Sequence, residues 1–226
     1  MPEIEFASLN ISGYHDNPIA NIFLRHTQPT PSLAVLFPGL NYTCDMPLLY
    51  FLTSLLTNHQ MDVLQVRTDY TGTAFQSLSR QEQDNWFAAD AQAAIQSVYP
   101  SLGYAKVLLV GKSIGTLALA HLVDSELLHT TAMLWLTPLL HNPWLVEQAC
   151  QVQGPALFIG SRGDHSFDEK VMAYIQRKIS CDTLILEGAN HGLEYPGSWR
   201  KSLKALENIL EYTESFLDKY ALRGDQ

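Results

Sequence analysis

A serine lies between two glycines in the segment Gly111-Lys112-Ser113-Ile114-Gly115. A largely apolar run at 106–110 precedes it, and a regular pattern of apolar residues at 117–123 follows it. The first run is typical of a buried strand and the second of a helix, so we expect the serine at a sharp strand-to-helix turn. Flanking glycines let the chain reverse there, and such a turn presents a serine hydroxyl as a nucleophile.

The same segment has a second interpretation, because Gly111-Lys112-Ser113 also occurs in phosphate-binding loops. That motif requires a glycine five residues before Gly111, and this chain has Lys106 there, within the predicted strand. No loop remains that could surround phosphate groups with backbone N–H groups. The segment therefore predicts a nucleophile and not a nucleotide site.

A serine nucleophile needs a carboxylate that orients its base, and two candidates lie close together. Asp164 directly follows a predicted strand at 156–160. Asp168 lies at the start of the next helix, where a carboxylate commonly stabilises the free amide groups. Asp69 also follows a strand, but its position is typical of a turn residue. Asp164 is therefore the first candidate for the acid, and Asp168 is the second.

The chain has eight histidines, and one of them has the position expected of a base. His191 lies just beyond the last predicted strand, between small residues that leave room for an imidazole. Of the other seven, five lie in early strands, helix bodies or helix ends, and His141 and His165 lie in loops. Ser113, Asp164 and His191 each follow a separate strand, in the chain order that accompanies this kind of turn.

Predicted strands and helices alternate along the whole chain. This alternation implies an α/β protein with a mostly parallel sheet covered on both faces, whose functional loops lie at the carboxyl ends of the strands. Asp45 is expected to cap the first helix. Strands are predicted at 3–9, 19–25, 33–37, 63–66, 106–110, 132–136, 156–160 and 183–186, and helices at 45–59, 81–98, 117–123, 144–150, 167–179 and 198–220.

Composition limits the class of protein. Neither a repeat nor a linker divides the 226 residues, so 1–226 are predicted to form one domain. The net charge of −9 argues against nucleic acid or an anionic membrane as a partner. Three scattered cysteines form neither a disulfide framework nor a metal motif. No signal peptide and no apolar run near the roughly 18 residues of a membrane span is found, so a cytoplasmic protein is expected.

Taken together, these motifs resemble the α/β-hydrolase family, from the strand at 33–37 to the final helix. The residues that carry the resemblance are 111–115, 160–164 and 190–192. It implies a three-layer α/β/α sandwich with an eight-stranded sheet, antiparallel only at its second strand. It also implies an oxyanion hole formed by the backbone amides of Leu40 and Ile114, and neither a metal nor a cofactor.

The resemblance has departures, and it leaves the substrate open. Many relatives have His-Gly where this chain has Pro38-Gly39, and Lys112 is uncommon at its position. The short segment from Pro138 to Gly154 leaves no room for a sizeable lid. An open site with apolar and aromatic walls suits a short acyl or small aromatic ester. The residues expected to line it are Tyr42, Tyr70, Leu139, Trp144 and Leu193.

The function predicted from these residues is a serine hydrolase that cleaves small carboxylic esters or thioesters through an acyl-enzyme on Ser113. An acyltransferase on the same fold would share that acyl-enzyme and pass the acyl group to an alcohol or thiol. A binding module that keeps the fold without catalysis is the other alternative. The sequence specifies neither the natural ester nor the oligomeric state.

Overall fold

Eight strands form one sheet in the computed structural model, which describes residues 3–99, 102–125 and 131–224. The strands are β1 (Ile4–Ala7), β2 (Asn21–His26), β3 (Ser32–Phe37), β4 (Met61–Val66), β5 (Lys106–Lys112), β6 (Ala132–Leu136), β7 (Ala156–Ser161) and β8 (Asp182–Leu186). Their order across the sheet is β1-β2-β4-β3-β5-β6-β7-β8. Only β2 runs antiparallel to its neighbours, as the resemblance to the α/β-hydrolase family implied.

Helices cover both faces of this sheet. They are α1 (Pro47–Asn58), α2 (Thr73–Gln76), α3 (Arg80–Val98), α4 (Gly115–Leu122), α5 (Pro143–Ala149), α6 (Glu169–Lys178) and α7 (Trp199–Lys219), and Tyr14–Asp16 forms a 3-10 turn. Helices α1 and α7 pack on one face, while α3, α4, α5 and α6 pack on the other. The architecture is therefore the predicted three-layer α/β/α sandwich. None of the described helices is long and apolar enough to cross a membrane.

Alternation of side chains along the central strands creates two separate cores. Val35 and Leu109 point into the core beneath α3 and α4, whereas Leu36 and Val110 point into the core beneath α1 and α7. All four side chains are fully buried. Strands buried on both faces explain why the sequence shows continuous apolar runs here and not an apolar–polar alternation.

The first helix begins later than the sequence suggested, and its cap differs. Met46 is the N-cap residue of α1 and provides no side-chain hydrogen bond, while Pro47 begins the helix. The expectation that Asp45 caps this helix was wrong, because Asp45 forms an ion pair with Arg67 instead. Proline needs no N–H partner in the first turn, which reduces the need for a capping side chain.

A buried polar cluster lies at the end of the sheet where the parallel strands begin. Asp62, 3% exposed in β4, accepts hydrogen bonds from the backbone N–H (2.8 Å) and the Nδ1 (2.9 Å) of His26 and from the hydroxyl of Tyr104 (2.6 Å). The Nε2 of His26 lies 3.0 Å from the carbonyl oxygen of Thr57. The cluster joins β2, β4 and the segment that leads into β5.

The carboxyl ends of the six parallel strands lie at the opposite end of the sheet, and those of β3, β5, β6, β7 and β8 lead to the site. The loops that follow them carry Leu40, Ser113, Thr137, Asp164 and His191, in that order. Because β3 and β6 are the direct neighbours of β5, Ser113 lies between Leu40 and Thr137 in this row. The fold therefore brings the chemically interesting residues of the sequence to one edge of the sheet.

Candidate active site

Ser113 occupies a tight turn between β5 and α4. Its φ is 54°, in the left-handed region that residues with a side chain rarely adopt. A Cβ at Gly115 would lie 2.2 Å from the carbonyl oxygen of Phe37, and one at Gly111 would lie 2.7 Å from that of Gly115. Only glycine allows strand, turn and helix to approach so closely, which gives the physical reason for the glycine on each side of the serine.

The imidazole of His191 bridges Ser113 and Asp164. Its Nε2 lies 2.6 Å from the Oγ of Ser113, and its Nδ1 lies 2.8 and 2.9 Å from the two carboxylate oxygens of Asp164. Because an ionised carboxylate only accepts hydrogen bonds, Nδ1 carries the proton and Nε2 is free to accept one from the serine hydroxyl. The serine hydroxyl, the imidazole and the carboxylate thus form a chain of hydrogen bonds.

The carboxylate of Asp164 is buried and held from several sides. Its side chain is 1% exposed, and the backbone N–H of Ser166 donates to its Oδ1 at 2.9 Å. Burial alone would raise the pKa of Asp164, but the hydrogen bonds from His191 and Ser166 outweigh it and lower the pKa below its usual value. The group is therefore ionised and presents a negative charge to the imidazole.

Close packing of two loops fixes the positions of Asp164 and His191. A Cβ at Gly163 would lie 2.6 Å from the carbonyl oxygen of Ala189, so the loops after β7 and β8 touch at their backbones. The turn that carries His191 is closed by Asn190, which bonds Glu194 through both its backbone and its side chain. These hydrogen bonds hold the turn from which the His191 imidazole projects.

Asp168, the second candidate for the acid, has a different partner. Its carboxylate accepts hydrogen bonds from the backbone N–H groups of Lys170 (2.8 Å) and Val171 (3.1 Å), and it is the N-cap of α6. The structure therefore joins Asp164 to His191 and leaves Asp168 as a helix cap.

The two amides predicted to form an oxyanion hole flank the serine. Ile114 follows Ser113 directly, and Leu40 lies in the turn closed by the mutual backbone hydrogen bonds of Gly39 and Tyr42. A Cβ at Gly39 would lie 3.5 Å from the Cβ of Ser113, so this turn lies against the serine. Across the part of the chain that the structure describes, neither the Leu40 nor the Ile114 amide has an acceptor.

A cavity of about 670 Å³ lies beside these loops. Two of the five predicted lining residues, Tyr42 and Leu193, belong to it. The remaining walls are mostly apolar and come from the start of α1, the loop after β8 and the first half of α7: Pro47, Leu48, 192–199, Ser202, Leu203, Leu206 and Ile209. Sequence reasoning missed the contribution of α7, because its apolar pattern predicts a core-packing helix equally well.

The other three predicted lining residues lie elsewhere. The hydroxyl of Tyr70 donates to Asp90, and the ring belongs to a separate cavity of about 220 Å³. The ring of Trp144 packs 4.3 Å from that of His121, and Leu139 packs against the core beneath α3 and α4. The large cavity includes none of the three.

His165 adds a second imidazole near Asp164. Its Nδ1 lies 3.5 Å from Asp164 Oδ1, and its ring centre lies 5.1 Å from that of His191. Asp164, His165 and His191 have potential metal-binding atoms within 4.8 Å of one another. Asp164 and His191 already bond each other, and His165 is 80% exposed, so we assign the three no metal.

Comparisons with known proteins agree with this architecture. A scan against family models and a search of curated proteins return no match. Among solved structures, the chain is similar to the esterase Pf2001 of Pyrococcus furiosus, with a TM-score of 0.71, 10% identity and coverage of 97% of this chain and 93% of that one. It is also similar to XC6422 of Xanthomonas campestris, described as an α/β serine hydrolase without a lid (TM-score 0.71, 14% identity, coverage 96% and 95%).

A third solved structure, Est1E from Butyrivibrio proteoclasticus, has a TM-score of 0.71 at 11% identity and coverage of 96% of this chain and 100% of that one. At such identities the likeness concerns the path of the chain and not its chemistry. Together with the strand order and the single antiparallel strand, it establishes the α/β-hydrolase fold for this protein.

Proposed function

We propose that this protein is a serine hydrolase that cleaves carboxylic ester or thioester bonds through an acyl-enzyme on Ser113. The observation that carries the proposal is the 2.6 Å contact between Ser113 Oγ and His191 Nε2, with the Asp164 carboxylate on the far side of the ring. A hydroxyl becomes a strong nucleophile only when a base takes its proton as it attacks. This arrangement supplies that base.

In the first half of the reaction, Ser113 Oγ attacks the carbonyl carbon of the ester and its proton passes to His191 Nε2. Asp164 stabilises the imidazolium that results. Collapse of the tetrahedral intermediate breaks the bond to the leaving alcohol or thiol, which receives the proton from His191. The acyl group remains on Ser113.

In the second half, water enters, His191 takes its proton, and the oxygen attacks the acyl carbon. The carboxylic acid leaves, and the proton returns to Ser113. In both halves the negative charge develops on the carbonyl oxygen, where the amides of Leu40 and Ile114 would receive it. Their lack of other acceptors among the described residues supports this role.

The substrate is inferred from the large cavity. Gly192 and Leu193 in its wall directly follow His191, while Tyr42 closes the turn that touches Ser113. Ser113, Asp164 and His191 are not among the residues that line the cavity, which reaches them only through Tyr42 and the residues after His191. Its apolar walls suit an alkyl or aryl group of a small ester. Its volume of about 670 Å³ accommodates a larger group than acetate. The similar structures described as an esterase and as an α/β serine hydrolase agree with ester cleavage.

Ser113→Ala tests the proposal. We expect hydrolysis of p-nitrophenyl butyrate to fall by about 1,000-fold or more, because removing the nucleophile leaves only binding and the oxyanion donors. Ser97→Ala is the matched control, since the Ser97 hydroxyl donates to the carbonyl of Ala94 within its own helix, α3. A fluorophosphonate should label the wild type and the control but not Ser113→Ala.

Unchanged hydrolysis in Ser113→Ala would contradict the nucleophile, and absence of labelling in the wild type would favour a binding module. Adding an alcohol or thiol acceptor separates hydrolysis from acyl transfer. We expect the free carboxylic acid to be the main product even when the alcohol or thiol acceptor is present.

A further inference from the structure

Lys112 is a buried cation for which the mechanism above has no step. It is 0% exposed, and its Nζ donates hydrogen bonds to Thr137 Oγ1 (2.6 Å) and to the backbone carbonyl of His191 (2.8 Å). The Nζ also lies 5.0 Å from the centre of the Tyr42 ring. One ammonium group thus contacts the loops that follow three different strands, β6, β8 and β3.

We propose that Lys112 is a positioning residue whose ammonium group holds the His191 backbone, and with it the imidazole, within reach of the Ser113 hydroxyl. The proposal rests on the proposed function, because it assigns to Lys112 the geometry that hydrolysis requires. Lys112 precedes Ser113 in the chain, so the element that carries the nucleophile also holds the base.

The energetic argument favours a role in function over a role in stability. Removing an ammonium group from water is unfavourable, and an apolar side chain of similar length would pack here without that penalty. The carbonyl of His191 and the hydroxyl of Thr137 offset the penalty only in part. What the ammonium provides is a fixed link between the loops after β6 and β8, which no backbone hydrogen bond joins among the residues that the structure describes.

The surroundings of the ammonium are both acidic and aromatic. Burial lowers the pKa of Lys112 to about 8, while the charges of Asp164 and Glu194 oppose that change. The Tyr42 phenol also faces the ammonium, and burial raises the pKa of that phenol. An unfolded chain binds this proton more tightly than the folded one. The unfavourable contribution of Lys112 to stability is therefore present below about pH 8 and disappears towards pH 10.5.

Lys112→Met and Lys112→Gln test the proposal, with Lys106→Met as the matched control. Lys106 lies at the other end of β5, and its Nζ donates to the carbonyl of Arg223 at 2.9 Å. For Lys112→Met we expect kcat on p-nitrophenyl butyrate to fall about 10- to 100-fold at pH 7, because a misplaced base is costly, with KM nearly unchanged. Lys112→Gln, which keeps N–H donors, should retain more activity, and Lys106→Met should match the wild type.

Two further readouts separate positioning from a structural role. Thermal unfolding at pH 7 should show Lys112→Met at least as stable as the wild type, since the buried charge is gone. The wild type should lose part of its kcat as the pH rises through about 8, because the neutral amine donates weaker hydrogen bonds than the ammonium, and Lys112→Met should lack that loss. A kcat for Lys112→Met equal to that of the wild type would overturn the proposal, as would a fall in kcat matched by Lys106→Met. If Lys112→Met fails to fold, Lys112→Gln and the wild-type pH profile decide in the same way.

A measurement without substrate distinguishes failure of this proposal from failure of the proposed function. The Nδ1 proton that His191 shares with Asp164 should give a downfield proton resonance, identified by its loss in His191→Gln. We expect Lys112→Met to shift or broaden that resonance and Lys106→Met to leave it in place. An unchanged resonance in Lys112→Met contradicts the positioning role even if the protein hydrolyses esters. A changed resonance supports that role even if Ser113→Ala keeps full activity.

Discussion

Two aspartates four positions apart, Asp164 and Asp168, illustrate how position decides the chemistry of a carboxylate. Asp164 follows β7 immediately, is buried, and binds the imidazole of His191. Asp168 lies one turn later, at the start of α6, and binds backbone N–H groups. The residue type is the same, but the hydrogen-bond donors around it are an imidazole in one case and a helix terminus in the other.

Replacing these aspartates by asparagine should therefore affect activity very differently. We expect Asp164→Asn to lower kcat on p-nitrophenyl butyrate by about 1,000-fold or more, because an amide favours the wrong imidazole tautomer and cannot stabilise the imidazolium. Asp168→Asn should keep nearly full activity and lose less than about 0.5 kcal/mol of stability, because asparagine is as good an N-cap as aspartate. Steady-state kinetics and urea unfolding measure both effects. A greater loss of activity in Asp168→Asn would reverse the assignment.

For single residues, the sequence predicted the positions of the proposed catalytic residues better than those of the residues that support them. Ser113, Asp164 and His191 could be singled out because each follows a strand whose apolar run is easy to recognise. Lys112 could not be given a role, since its contacts are with Thr137 and a backbone carbonyl 79 residues away. A hydrogen bond to a backbone carbonyl leaves no pattern in the sequence.

Among the elements, β4 carries Asp62, which lies at the centre of the buried polar cluster at the amino-terminal ends of the parallel strands. Asp62 accepts three hydrogen bonds there, two from His26 and one from Tyr104. A buried carboxylate with this many partners is costly to replace, because any substitute leaves donors unsatisfied in the core. Burial, together with Asp62, raises the pKa of the Tyr104 hydroxyl, which therefore stays a donor over the working pH range.

We expect Asp62→Asn to lower the free energy of unfolding by about 3–5 kcal/mol, the usual cost of breaking a buried pair. Asp182→Asn on β8 is the control, because its ion pair with Lys219 lies at the surface and contributes about 0–1 kcal/mol. Urea unfolding of the purified proteins measures both values. The kcat of folded Asp62→Asn should match the wild type, since the cluster lies far from Ser113. Equal loss of stability in the two variants would show that burial does not matter at Asp62.

The elements themselves were predictable where periodicity was strong and less so where tertiary contacts decide. Each strand that a continuous apolar run predicted is present. The short α2 and the 3-10 turn at Tyr14–Asp16 went unpredicted, because so few residues show no period. The predicted N-cap of α1 was wrong because Asp45 forms an ion pair with Arg67, which follows β4. An ion pair between distant parts of the chain overrides a local capping preference.

For the molecule as a whole, substrate size should depend on α7, since its first half forms one wall of the large cavity. We expect Leu206→Trp to lower kcat/KM for p-nitrophenyl octanoate relative to acetate by about 10-fold or more, because the indole takes up space that an alkyl chain would fill. Leu210→Trp is the control, a half-buried leucine one turn further along α7 and outside the cavity wall. Rates over esters of graded chain length measure the change. An equal effect in both variants would show that longer chains bind elsewhere.

The overall architecture was the most predictable level, since alternating strands and helices predict a mostly parallel sheet covered on both faces, and the resemblance implied the one antiparallel strand. Sequence identities of 10–14% to structures with the same chain path agree with this, because the pattern of apolar residues can persist while the residues change. The cavity was the least predictable feature, because it forms between segments from both ends of the chain, Tyr42 and α7.

The placement of the Asp62 cluster at one edge of the sheet and Ser113 at the other has a practical consequence. Under the proposed function, stability and catalysis depend on opposite ends of the parallel strands, so a designer can alter the two ends separately. Loops around Ser113 can be exchanged or randomised in search of new ester selectivity while the Asp62 cluster is left unchanged. Substitutions that first stabilise the end of the sheet around Asp62 would widen the range of loop sequences that the fold tolerates.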